Sequence, residues 1–492
     1  MTTDVGAVPR VRGGADAGYP ELSLLVAGRW TGRGDRDVRP VVDPATGAVL
    51  AELPVATAAD LDEAATAAAQ AFPRWRDTPA HDRYGILRRA AELLRERADQ
   101  IGRVTTLEQG KPVAEATQEV HGAADILDWF AEEGRRVYGR IVPSRRPGLR
   151  NLVLRQPVGP VAAFTPWNFP ITIPARKIGA ALATGCTMVI KPAEETPATG
   201  LALARALVDA GLPPGVLSVV FGDPATVSTH LIRSPAIRKV TFTGSTAVGR
   251  QIAALAAEGV KRVTLELGGH APVLVFDDAD LDRAATLAAA AKFRNAGQIC
   301  IAPTRFFVQE RVFEDFTARL AARIERLRMG SGLDPETTLG PLAHDRRLPA
   351  IEALVSDAVD RGAEVVTGGA PGDGEGYFWQ PTLLAGVDRS ARAMSEEPFG
   401  PVALTVPFTD LDEGLRRANE LPYGLASYAF TSSRDTAYAV SESIEAGMLA
   451  VNHCMLTAPE TPFGGVKESG YGSEGGSEGI EDYLFAKLVS EA

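Results

Sequence analysis

Three segments carry side chains able to make and break bonds at a carbonyl carbon. Cys300 ends the stretch Arg294-Asn-Ala-Gly-Gln-Ile-Cys300, where Gly297 predicts irregular backbone that presents the thiol. A thiol becomes a nucleophile when its pKa falls or a base removes its proton. Otherwise it behaves as a small, inert, buried group, and both readings stay open for Cys300. Glu266 lies in Leu265-Glu266-Leu267-Gly268-Gly269, after an apolar run and before a glycine pair that lets backbone approach closely. Such a glutamate is either a general base or a solvated loop carboxylate. Asn168 sits in Thr165-Pro-Trp-Asn-Phe-Pro170, stiffened by two prolines. Its amide can donate to a developing oxyanion, or simply shape a turn.

A second group of residues suits a nucleotide. Phe242-Thr-Gly244-Ser245-Thr-Ala-Val-Gly249 reads as strand, glycine turn and helix start, and unpaired N–H groups at a helix start attract phosphate. The GxGxxG fingerprint is missing, so an ordinary Rossmann argument does not apply. Lys191 and Glu194 follow a preceding strand and can hydrogen-bond a ribose. Six histidines (His81, His121, His230, His270, His344, His453) form no recognisable triad with Cys300, and His270 reads as a loop residue beside the glycine pair.

The elements that must position these groups follow from periodicity. Thr57 caps a helix with Leu61, Ala64, Ala65 and Ala68 on one stripe, ending near Pro73. Further helices are predicted over 82–98 and 113–137. After Pro147 short apolar runs alternate with helical stretches: strands over 158–164, 187–190, 217–221, 239–242, 263–267 and 272–276, helices over 174–184 and 197–210. That alternation implies parallel crossover units and doubly wound α/β sheets. A second α/β region is expected over 280–450. The tail ends in a strand over 483–489, which either pairs with another subunit or returns to its own sheet.

Composition narrows the classes. The 492 residues hold 51 Lys plus Arg and 62 Asp plus Glu, a net charge of −11, with 45% hydrophobic and 23% charged residues. A chain of this length buries a large core without staples, and its acidic balance argues against a nucleic-acid partner. Cys186, Cys300 and Cys454 lie far apart without a CxxC pair, so neither a metal site nor a disulfide framework is expected. No apolar run long enough to span a membrane and no signal peptide is read, and a cytoplasmic location is expected. Residues 1–20, rich in Gly, Ala and Pro, read as a flexible N-terminus.

Taken jointly and in order, seven segments resemble the aldehyde dehydrogenase superfamily. They are Pro166-Trp-Asn-Phe-Pro170, Lys191-Pro-Ala-Glu-Glu-Thr-Pro197, Phe242-Thr-Gly-Ser-Thr246, Glu266-Leu-Gly-Gly269, Gly297-Gln-Ile-Cys300, Glu397-Pro-Phe-Gly-Pro401 and Pro462-Phe-Gly-Gly-Val-Lys467. The resemblance implies a cofactor domain over 21–137 and 159–270, a catalytic domain over 271–463, and a small β oligomerisation arm over 138–158 and 464–492. It casts Cys300 as nucleophile, Glu266 as the base for thioester hydrolysis and Asn168 as oxyanion donor. Trp167, Lys191, Glu194, Gly244, Ser245, Leu267, Glu397 and Phe399 are implied contacts of NAD. Glu194 favours NAD, because a carboxylate near the ribose 2′-position repels a phosphate; NADP remains an alternative. A homodimer or homotetramer is implied.

Within that superfamily the chain is most similar to the succinate-semialdehyde dehydrogenase group, through its tail Gly475-Gly-Ser-Glu-Gly-Ile-Glu-Asp-Tyr-Leu484 and through Arg176 and Arg294. Members acting on carboxylate-bearing aldehydes have arginines at these places, where a guanidinium can clamp a carboxylate; the alternative for each is a structural ion pair. Thr457 would add a hydroxyl contact. Ala302 stands where some relatives carry a second, regulatory cysteine, and Ile301-Ala-Pro-Thr-Arg305 looks closer to enzymes acting on 2-oxoglutarate semialdehyde. A broader-specificity aldehyde dehydrogenase, a CoA-acylating enzyme, a cysteine hydrolase and a non-catalytic binding protein are the rival readings. Glu266 argues against the CoA-acylating one.

Overall fold

Short runs of Val, Ile, Leu and Ala, buried on both faces, build two mainly parallel sheets. The computed structural model describes residues 18–492. In the first sheet Val161–Phe164 lies centrally, with Met188–Lys191 and Leu217–Val219 on one side and Lys239–Thr243 and Arg262–Glu266 on the other, all parallel. Antiparallel strands finish both edges: Leu24–Val26 with Arg29–Thr31, and Gly470–Tyr471. The chain winds outward from the centre, first one way and then the other. The loops after Val161–Phe164 and Lys239–Thr243 therefore diverge, and a crevice opens at the carboxyl ends of the strands.

The second sheet runs Glu364–Thr367, Thr382–Ala385, Val402–Phe408, Arg305–Gln309, Pro272–Val275, Ala426–Phe430 and Met448–Val451, parallel except for its first pair. Each sheet has its own apolar core. A three-stranded antiparallel sheet joins Arg140–Val142, Arg150–Pro157 and the tail strand Leu484–Glu491. The tail strand thus returns to its own chain.

Several boundaries differ from expectation. The first helix, Ala58–Asp77, contains Pro73 and continues for another turn, because Trp75 is buried at 1% exposure and anchors it. The helix expected over 82–98 spans Ala80–Glu96, an unexpected helix Ala98–Gln109 follows it, and the helix expected over 113–137 is Val113–Gly134. Residues 1–17 lie outside the described residues, but Tyr19, expected in a flexible stretch, is buried and donates to Glu108 at 2.6 Å. Gly470–Tyr471, expected in the arm, pairs instead with Leu265 and Glu266.

Candidate active site

Cys300, Glu266 and Asn168 are more than thirty positions apart from one another in sequence, yet all three line one cleft of about 1010 Å³. Each arrives on a loop or strand end. Glu266 is the last residue of Arg262–Glu266. Asn168 follows Val161–Phe164 and precedes the helix Thr172–Thr184. Cys300 follows the helix Leu281–Phe293 and a tight turn.

That turn is strained and held. Asn295 and Ala296 have φ of 49° and 51°, values that non-glycine residues rarely adopt. Gly297 continues the turn at φ 71°, and a Cβ there would lie 2.1 Å from the Gly400 carbonyl oxygen. Only glycine fits, which brings Cys300 out facing the other loops.

The loops touch one another closely. A Cβ at Gly269 would come 2.9 Å from the Cys300 carbonyl oxygen, and one at Gly464 3.3 Å from Glu266 Oε1. Asn168 Nδ2 donates one hydrogen bond to the Gln298 carbonyl at 3.0 Å, two residues before Cys300. The second N–H of that amide is left for another acceptor.

Electrostatics set the resting protonation states. Glu266 is 2% exposed, and both of its oxygens lack a hydrogen-bond partner. This overturns the solvated-loop alternative. Burial and the Glu474 carboxylate push its pKa well above the usual carboxylate range, against Lys177 and Arg176. Burial, with Glu397 and Glu266 nearby, pushes the Cys300 thiol up to about 12. Thiol and carboxyl group are therefore both biased toward their neutral forms in this dry site, and the thiolate forms only when an acceptor takes the Cys300 proton.

The remaining predicted residues divide by place. Trp167, Gly244, Ser245, Leu267, Glu397, Phe399, Arg176, Arg294 and Thr457 line the same cleft. Trp167 packs edge-on against Phe399 at 5.6 Å. Lys191 and Glu194 stand apart from this lining, at the end of Met188–Lys191, ion-paired at 2.5 Å. Arg176 is buried, donates to the Glu474 carbonyl at 3.2 Å and lies 4.4 Å from the Phe463 ring centre. Arg294 is exposed and lies 5.6 Å from the Phe169 ring centre.

Sequence reasoning missed other groups in the cleft wall and just behind it. Lys177 and Glu474 form a buried ion pair behind Glu266. His344 packs edge-on against Trp167 at 5.2 Å, and burial among arginines lowers its pKa to about 4. Arg347 donates to the Pro398 carbonyl, while its buried Nε has no partner. A charged residue in an otherwise buried helix, as Lys177 is in Thr172–Thr184, was the one signal available. His270 is structural: its ring meets the Ala393 carbonyl at 2.8 Å and its own carbonyl accepts from Arg305 at 3.0 Å.

The cleft fits a dinucleotide. Ser245 caps the helix Thr246–Glu258, whose positive end and first-turn N–H groups suit a pyrophosphate. A Cβ at Gly268 would stand 3.1 Å from Glu397 Oε2, so the missing side chain leaves a cradle beside that carboxylate. The orphaned Arg347 Nε and His344 Nδ1 supply unpaired polar atoms along the same wall.

A family model described as the aldehyde dehydrogenase family matches residues 30–489. A 4-(hydroxymethyl)benzenesulfonate dehydrogenase of Comamonas testosteroni is 52% identical over 467 residues, 95% of this chain and 97% of that protein. The NADP(+) succinate-semialdehyde dehydrogenase of Escherichia coli (strain K12) is 43% identical, over 96% of this chain and 98% of that protein. The crystal structure of succinate-semialdehyde dehydrogenase from Burkholderia pseudomallei superposes with a TM-score of 0.94 at 44% identity, covering 96% of this chain and 98% of that one.

Proposed function

The chain belongs to the aldehyde dehydrogenase family, and from that premise we propose that it oxidises aldehydes bearing an anionic group at the far end, with NAD preferred. The observation that carries this is the placement of two guanidinium groups, Arg176 and Arg294, in the cleft that holds Cys300. A semialdehyde ending in a carboxylate, such as succinate or glutarate semialdehyde, suits them, with Thr457 beside the same lining.

The residues act in sequence. The Cys300 thiol gives its proton to water in the cleft, and its sulfur bonds to the aldehyde carbon as the carbonyl π pair moves onto oxygen. The oxygen that takes the negative charge is held by the Cys300 N–H and the remaining Asn168 N–H. The bound nicotinamide supplies the hydride acceptor. Cys300 then carries a thioester, and Glu266 removes a proton from the water that cleaves it. Gly244 and Ser245 would hold the pyrophosphate, Glu397 the nicotinamide ribose, and Lys191 with Glu194 the adenosine ribose. Trp167, Leu267 and Phe399 would pack about the nicotinamide end. Glu194, already paired with Lys191, supports NAD by repelling a 2′-phosphate.

A second reading is an aryl aldehyde bearing a sulfonate. The 52% identity to the Comamonas testosteroni enzyme favours it, as do the Phe169 and Phe463 rings beside the two arginines. The test is a panel with equal chain lengths, with and without the anion: succinate, glutarate and 2-oxoglutarate semialdehydes, 4-formylbenzenesulfonate, butanal, pentanal and benzaldehyde. NADH formation is followed with and without CoA. Equal kcat/KM for charged and uncharged members would remove the anion assignment.

The three-stranded arm supports a homodimer or dimer of dimers, because Tyr138, Ile141 and Leu488 are 76%, 71% and 66% exposed there. Light scattering that returns a monomer at micromolar concentration would reject this.

A further inference from the structure

Lys111 is an ammonium group sealed in the wall of the reaction cleft, 2% exposed. Its Nζ donates to Glu119 Oε2 at 2.6 Å and to the main-chain carbonyl of Asn168 at 2.8 Å, and it stands 4.3 Å from the Phe169 ring centre. Glu119 Oε1 in turn accepts from the N–H groups of Ile171 and Thr172, at 3.1 and 3.2 Å. The loop that carries Asn168 is thus gripped at both ends by one buried ion pair. A buried ion pair adds little stability by itself, so its place here calls for another account.

The same Asn168 carbonyl also accepts from Asn295 Nδ2 at 3.0 Å. Asn295 begins the strained turn that presents Cys300, and its side-chain oxygen accepts from Gln109 Nε2 at 2.8 Å. Gln109 Oε1 accepts from the Lys111 N–H at 3.0 Å. One short segment at the end of the helix Ala98–Gln109 therefore holds the oxyanion-donor loop through Lys111 and the nucleophile turn through Gln109. Both grips meet on a single oxygen atom.

The geometry points to Lys111 as a positioning residue that sets Asn168 in register with Cys300 for carbonyl attack. It touches neither thiol nor aldehyde and acts through Asn168, so this inference rests on the oxyanion role proposed above. Removing the grip lets the donor loop shift, and a misplacement of about 1 Å can cost on the order of 100-fold in rate.

The test is a double-mutant cycle on the full-length enzyme with Lys111→Met and Asn168→Ala. Two cofactor-free reactions of Cys300 are read alongside turnover. Acyl transfer from a nitrophenyl ester generates an oxyanion; alkylation by iodoacetamide does not. Lys111→Met is expected to lower kcat and ester acylation by about 10- to 100-fold. KM, NADH binding by fluorescence and the alkylation rate should stay within about threefold, and in the Asn168→Ala background Lys111→Met should cost less than about threefold more.

Equal loss in both backgrounds, or parallel loss of alkylation and NADH binding, overturns the positioning role. Asn168→Ala without loss of acylation overturns the oxyanion reading and this inference with it. A slow Asn168→Ala beside a normal Lys111→Met removes Lys111 alone. Should Lys111→Met fail to fold, Gln109→Leu carries the test, because it spares the Lys111–Glu119 pair. Selective loss of acylation supports the shared grip, and unchanged acylation refutes it.

Discussion

The two arginines of the cleft are unequal, and the difference is measurable. Arg176 is 7% exposed and spends one N–H on the Glu474 carbonyl, which leaves others for an anion. A hydrogen bond to a charged partner in such a dry place contributes about 1.5–3 kcal/mol. At 1.36 kcal/mol per decade that is about 10- to 150-fold. Arg294 is exposed, where a charge pair contributes about 0.2–1 kcal/mol, or about 1.4- to 5-fold. The assay is the ratio of kcat/KM for glutarate semialdehyde over pentanal, which cancels effects on the reacting carbonyl. Arg176→Met should cut this ratio by about 10- to 150-fold, and Arg294→Met by less than about fivefold, with its share fading at high salt. A ratio unmoved by Arg176→Met, or a larger loss from Arg294→Met, would refute the reasoning.

Three further outcomes follow from the same geometry. Glu266→Gln should keep a first-turnover burst of NADH while steady turnover falls by about 10²- to 10⁴-fold; loss of the burst itself would show that Glu266 is needed earlier. On the proposed mechanism Glu266 acts deprotonated, and its pKa is raised, chiefly by burial and then by Glu474. Thioester hydrolysis should therefore quicken as pH rises through that raised value, and Glu474→Gln, which removes a negative neighbour, should move the ascending limb to lower pH. A limb that stays or moves upward contradicts the coupling. Glu194→Ser should shift the ratio of NAD to NADP efficiency toward NADP by about tenfold or more, the scale of removing one repulsive charge near a phosphate; an unchanged ratio would relieve Glu194 of that role.

Much of the architecture was legible because it depends on short-range pattern. The runs over 158–164, 239–242 and 263–267 announced parallel strands, and Asn168, Gly244 and Leu267 at or beyond their ends fell at the cleft, as switch-point geometry requires, whereas the residues after 187–190 stand apart from it. Pro73 misled because the helix runs on past it to Asp77, where the buried Trp75 anchors the final turn. Gln109, Lys111 and Glu119 carry no local signal, since their partners Asn295, Asn168, Ile171 and Thr172 lie far away in the chain. Arg347 and His344 were hidden for the same reason. Their partners, Pro398 and Trp167, come from other elements.

The clamp on Glu266 comes from near the chain's end. Gly470 pairs with it, and a Cβ at that glycine would lie 1.9 Å from the Leu265 carbonyl oxygen. The Leu267 N–H donates to the Ser469 carbonyl at 3.0 Å, and Glu474 pairs with Lys177. During synthesis on a ribosome, then, the thiol and its amide partner emerge long before the segment that seats the base. A nascent or C-terminally clipped chain has thiol, amide and carboxylate but not the strand Gly470–Tyr471 that seats Glu266. On the proposed mechanism such a chain would be slow to release an acyl group from Cys300, because the carboxylate that activates water is not yet held in place.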